Sequence, residues 1–235
     1  MSGPIQHPWY RRPDWAGVLL LCLGATAAAA ILDASGSDTY RFVFGPANPV
    51  ATTLTISLLG VLALLLLKRH SWFSPGGGGR RGLRTAILLG AGFTVPVLIV
   101  DWLGGFPADI NVSAPQSLLF YPSIAVVAEL TFHALPLALV ALLSTLAPIQ
   151  PYRMRLFGML IASAIEPVFQ VVWGSTHSPV WANAYVGVHV FAFNLVGMYI
   201  FRRYGFLSMY VFRLAYYLVW HVTWGHIRLA VLFGA

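Results

Sequence analysis

Apolar residues in this chain run in long blocks separated by short polar loops. A hydrocarbon core about 30 Å thick needs roughly 20 mostly apolar residues per helix, and the chain supplies such stretches repeatedly. The blocks predict helices over Trp15 to Leu32, Pro49 to Leu67, Thr85 to Leu103, Ser117 to Ala147, Leu156 to Trp173, Ala184 to Phe201 and Phe206 to Trp224. The fourth is longer than one crossing needs, and Pro122 and Pro136 within it are expected to kink it or to mark a short interfacial start. The expected fold is an all-α, polytopic transmembrane bundle of about seven spanning helices. Residues 1–116 read as an N-terminal three-helix membrane region, and 117–235 as a four-helix core with a C-terminal tail.

Composition points the same way. Of the 235 residues, 58% are apolar and 9% charged, and the mean hydropathy is +0.76. That leaves too little polar surface to coat a soluble globule. The single cysteine, Cys22, falls inside the first apolar block, so no disulfide framework or cysteine metal cluster is proposed. The N-terminal segment, with Arg11 and Arg12 ahead of an apolar run and small residues at Ala25 to Ala30, also resembles a signal peptide, and we count it as the first spanning helix.

The net charge of +7 is gathered in clusters between apolar blocks, which argues against a nucleic-acid partner and for topology. Arg11, Arg12, Lys68, Arg69, Arg80, Arg81, Arg84, Arg153, Arg155, Arg202 and Arg203 fall on one side under these spans, 11 of the 14 basic residues. The opposite loops hold Asp33, Asp38, Arg41, Asp109 and His177, and Arg228 follows the last span. Short cytoplasmic loops retain Lys and Arg, so the N-terminus is expected inside, with a bacterial inner membrane as the setting. The Lys68 to Arg84 loop holds Pro75 and Gly76 to Gly79, a composition expected to give a mobile cytoplasmic connection. Asn111-Val112-Ser113 fits a glycosylation acceptor on the outer side, useful only in a eukaryotic secretory pathway.

Ionisable residues within spans carry the functional information, since each costs at least about 2.5–3.5 kcal/mol at the bilayer centre unless paired or hydrated. Glu129, His133, Glu166 and Arg213 are deepest, while His189 and Asp101 are less so. Glu129 and His133 are four residues apart, as are Glu166 and Gln170, and Arg213 and Tyr217. Each pair shares a helix face, and the three faces are expected to converge. An internal ion-pair network explains these residues. So does a site in which carboxylates and histidines handle a proton, a water or a divalent metal, with Glu129, His133 and Glu166 as the metal candidates. Two acids against one permanent cation leave a charge deficit that a proton or a bound cation would offset.

The order of these polar pairs resembles the CPBP family of CAAX-processing and bacteriocin-processing intramembrane endopeptidases. Ala128-Glu129-Leu130-Thr131-Phe132-His133 looks like the family's Glu-Glu-x-x-x-Arg, and Glu166-Pro167-Val168-Phe169-Gln170 like its Phe-x-x-x-His. The stretch Phe191 to Phe201, followed by Tyr204-Gly205-Phe206-Leu207, is similar to the penultimate helix and its turn into the last. Counting from Gly205, the family histidine falls near Arg213 or Leu214, and its Asn/Asp near Tyr217 or Leu218. The resemblance implies a four-helix peptidase core over about Ser117 to Trp220, with paired glutamates and histidines activating water. Here Ala128 replaces the first Glu, and Gln170 and Arg213 stand where histidines are expected.

Three functions follow as expectations. The first is a CPBP-like protein with a degenerate protease site, acting as a binding partner or subunit in a membrane complex. The second is an active peptidase with a rearranged site, using Glu129 or Glu166 as base and His133 as ligand or proton carrier, with Gln170 and Arg213 beside them. The third is haem or pigment binding through His189 or His221. A retinal protein is excluded because the only lysine, Lys68, lies at a helix end.

Overall fold

In the computed structural model, residues 15–72, 78–146, 150–174 and 179–234 are described, and among them there are helices and turns but no strand. In chain order the helices are α1 (Trp15–Ala34), the short α2 (Arg41–Phe44), α3 (Pro49–Arg69), α4 (Gly79–Gly104), α5 (Ser117–Ala128), α6 (Leu135–Leu143), α7 (Pro151–Gly174), α8 (Val180–Tyr204), α9 (Phe206–Tyr217) and α10 (Gly225–Phe233). Two π-helical segments, Glu129–Ala134 and Leu218–Trp224, join α5 to α6 and α9 to α10.

Among the described residues, six helical runs are long and apolar enough to cross a membrane: α1, α3, α4, α5 through α6, α7 and α8. The expected seventh, Phe206 to Trp224, is also continuous and reaches Phe233, but with Arg213, His221 and Arg228 along it, it falls outside that set. Large apolar side chains face outward on the six, among them Leu20 (68% exposed), Leu62 (60%), Leu88 (62%) and Val188 (72%). Such a surface needs acyl chains as its solvent. The Ser117–Leu143 run is central, since 61% of its most apolar window is buried, against 28–33% in the other five.

Helix ends follow local chemistry. Asn48 caps α3 by accepting from the Ala51 N–H at 2.9 Å, with Pro49 supplying a preset first turn. α4 begins at Gly79, earlier than the expected Thr85, and carries Arg80, Arg81 and Arg84 on its first turns. The loop composition at 73–77 lies outside the described residues, as does the expected end of the fourth span at Ala147. α8 turns into α9 at Gly205, whose φ of +92° suits glycine alone.

The irregularity expected from Pro122 and Pro136 falls between them. Pro136 has no N–H to give the Phe132 carbonyl, so the turn before it widens, and Leu135 donates to Leu130, five residues back. Glu129 and His133 sit on this widened turn. α3 approaches it closely at Gly60, where a Cβ would lie 2.6 Å from Leu130. α1 packs on α3 and α5, α7 on α8, and α4 along α9. The last contact depends on Gly90, where a Cβ would stand 2.3 Å from the Phe212 carbonyl oxygen.

Candidate functional site

Four helical runs, those of Glu129, Glu166, Asn194 and Arg213 itself, meet at one guanidinium. Arg213 Nε donates to Glu129 Oε1 at 2.6 Å, Nη1 to Glu166 Oε1 at 2.8 Å, and Nη2 to Glu166 Oε2 at 2.7 Å. Its remaining donors reach Tyr217 Oη and Asn194 Oδ1, both at 3.2 Å. A guanidinium has five N–H groups in a planar fork, and here every one has an acceptor. Glu129, His133, Glu166 and Arg213 are each no more than 2% exposed. The Arg213 guanidinium also lies over the rings of Phe193 and Tyr217, 5.3 and 5.8 Å from their centroids.

The flanking residues complete the cluster. Gln170 Nε2 donates to Glu166 Oε1 at 3.1 Å, and Asn194 Nδ2 donates to the Ser163 carbonyl at 3.3 Å. His133 Nδ1 stands 2.8 Å from Glu129 Oε2. That is ion-pair range, but the two atoms are out of line for a hydrogen bond, and His133 Nε2 has no partner among the described residues. Asn194 escaped the sequence reading because a lone asparagine in an apolar block carries no spacing signal. Tyr217 was legible through its four-residue spacing from Arg213.

Among the described residues, no group of three or more His, Cys, Asp or Glu is placed to hold a metal ion. Both carboxylates turn toward Arg213 instead. The guanidinium thus supplies positive charge between the two carboxylates.

His189 and His221 lie elsewhere. His189 Nδ1 is 3.3 Å from Tyr185 Oη, and its ring stacks on Tyr185. His221 Nδ1 is 2.6 Å from Asn111 Oδ1, and its ring stacks on Tyr121 at 4.6 Å. Tyr216 lies against both imidazoles, at 5.8 and 6.2 Å. Asn111 is thereby taken inward, and its amide nitrogen is buried against Gly225, contrary to the exposure that a glycosylation acceptor needs.

Arg228, which the sequence reading puts in the C-terminal tail after the last span, lies inside the bundle. It is fully buried in α10, with Nε 2.8 Å from Asp101 Oδ2 and Nη2 2.7 Å from Asp101 Oδ1. It also donates to the Phe106 carbonyl at 2.6 Å and the Pro107 carbonyl at 2.9 Å, while Trp224 Nε1 and the Phe106 N–H complete Asp101 at 2.6 and 2.9 Å. This second network is satisfied throughout, so it clamps α10 to the end of α4.

Compared with known proteins, the chain matches no family model, no curated protein and no solved structure. What stands is a polytopic, all-α membrane bundle with two buried arginine–carboxylate networks.

Proposed function

We propose that this chain is a CPBP-like integral membrane protein with a degenerate protease site, a binding partner or subunit of a membrane complex and not a peptidase. One observation carries the reading: Arg213 binds Glu129 and Glu166 together and spends all its donors within the protein. A general base must be free to take a proton from a water it holds, and a carboxylate gripped by a permanent cation is a poor base. Ala128 and Gln170 offer no replacement. The cluster then acts as an internal lock that sets the register of four helical runs.

The same reading puts the N-terminus on the cytoplasmic side of a bacterial inner membrane, supported by the arginines and lysine at the connections from α3 to α4, α6 to α7 and α8 to α9. A rearranged peptidase keeps one observation in its favour, the unpartnered Nε2 of His133 beside Glu129. Separate Glu129→Gln and Glu166→Gln variants decide between the two. Cleavage of candidate membrane peptides should be absent in wild type and variants alike, and partners recovered from mild detergent should be shared by all three. Wild-type cleavage abolished by either substitution, with folding and partners intact, would make this a working protease.

A further inference from the structure

The buried cluster carries more negative charge than its arginine answers. Glu166 gives both oxygens to the Arg213 guanidinium, at 2.8 and 2.7 Å, and Glu129 gives Oε1 at 2.6 Å. Two carboxylates therefore share one positive charge, and both are no more than 2% exposed. A net charge in so dry a place is costly, because neither water nor lipid answers it. Of the four carboxylate oxygens, Glu129 Oε2 alone has no donor among the described residues, and His133 Nδ1 stands 2.8 Å from it.

Among the described residues, no other cation faces this turn. It packs on α3, α5, α6 and α7. α3 has no ionisable residue between Pro49 and Leu67, α6 has none, and α5 has only the Tyr121 phenol. α7 brings Glu166 itself, since Arg153 and Arg155 lie about 16 Å or more before it along the helix. Beyond these, α9 brings Arg213 and Tyr217, and α8 the uncharged Asn194. The atoms left to hold a charge are Glu129 Oε2 and the two ring nitrogens of His133. That is two side chains, whereas a metal ion takes about four ligands or more. A proton needs only this pair. Two bare lone pairs would repel at 2.8 Å; any hydrogen between them makes the contact attractive, and only an added proton also brings the cluster to neutrality.

We propose that Glu129 and His133 together bind one proton, shared between Oε2 and Nδ1, and that this proton is the second positive charge of the cluster. The site rests on the proposed function in one respect, that Arg213 stays on both acids. Cleavage assays judge that function, and a proton count judges this site.

Full-length protein in mixed micelles is unfolded reversibly at a series of pH values above about 6.5, where an unfolded chain has ionised glutamates and mostly neutral histidines. Unfolding then releases the bound proton to solvent. Because the folded state holds more protons, stability falls as pH rises, and the unfolding constant should climb about tenfold per pH unit until the folded pair itself lets go. Glu129→Gln and Glu166→Gln each remove one negative charge and with it the need for the proton. Each should flatten that climb by about tenfold per pH unit, while the other histidines contribute equally to all three proteins and cancel. His133→Gln should raise the unfolding constant of wild type at least about tenfold more than that of Glu129→Gln. A wild type with no climb above about pH 6.5 overturns the proposal whatever the variants do. A climb that persists in both Glu variants, or additive costs of His133→Gln and Glu129→Gln, puts the proton elsewhere and overturns it too. Stability that follows added sodium or zinc at fixed pH, and not pH itself, marks a metal ion in place of the proton. Should one Glu variant fail to fold by circular dichroism, the other carries the comparison.

Discussion

Replacing Arg213 by methionine strands two carboxylates in the interior of the bundle. The arginine is 2% exposed and serves Glu129 at 2.6 Å and Glu166 at 2.7 Å, so its removal takes away the one permanent cation that both share. Breaking a buried ion pair by deleting one partner costs about 3–5 kcal/mol, chiefly from the charge left behind, and here two are left. Arg213→Met should therefore lose at least about 3 kcal/mol by reversible unfolding in mixed micelles. The triple variant Arg213→Met/Glu129→Gln/Glu166→Gln removes the charges together. It should regain most of that loss, since apolar or neutral replacements of a whole buried ionic group are often neutral or stabilising by about 1–4 kcal/mol. The coupling between single and triple variants is the measured quantity, because residues in one network are not additive. An Arg213→Met protein within about 1 kcal/mol of wild type, or a triple variant no better than the single, would refute the idea that Arg213 is a lock on two ionised acids.

Further outcomes test the remaining architecture. Cys22 is buried, so single cysteines can be placed on the native background: Asp109→Cys should label with an impermeant maleimide in intact cells and Arg84→Cys only after permeabilisation, and the opposite pattern inverts the orientation. Gly90→Ala puts a Cβ 2.3 Å from the Phe212 carbonyl oxygen, a backbone atom that cannot swing away; overpacking should cost about 1–3 kcal/mol and lower the yield of monodisperse protein on size-exclusion chromatography. Asp101→Ala leaves Arg228 buried without its carboxylate, and should cost about 3–5 kcal/mol in the same unfolding assay, with faster hydrogen exchange in α10.

The two glutamates occupy one buried centre, as a water-activating pair would, but the group between them is a fixed cation. On the function proposed above, this framework serves cohesion, where a peptidase would use it to hold and deprotonate water.

Long apolar blocks were enough to determine the all-α membrane class and the approximate helix cores, because a bilayer leaves the backbone almost no other way to satisfy its hydrogen bonds. Four-residue spacing likewise marked Glu129 with His133 and Arg213 with Tyr217 as shared faces, since helix geometry is local. What those faces meet is not local. That Arg213 reaches Glu129, 84 positions away, and Glu166, 47 away, depends on how separate helices rotate and slide against one another. Arg228 reads as a C-terminal tail residue until the end of α4 brings Asp101 to it, and Asn111 reads as an exposed acceptor until His221 draws it inward. In each case a polar side chain is stable at its depth only through a partner far along the chain, so its role is decided by packing.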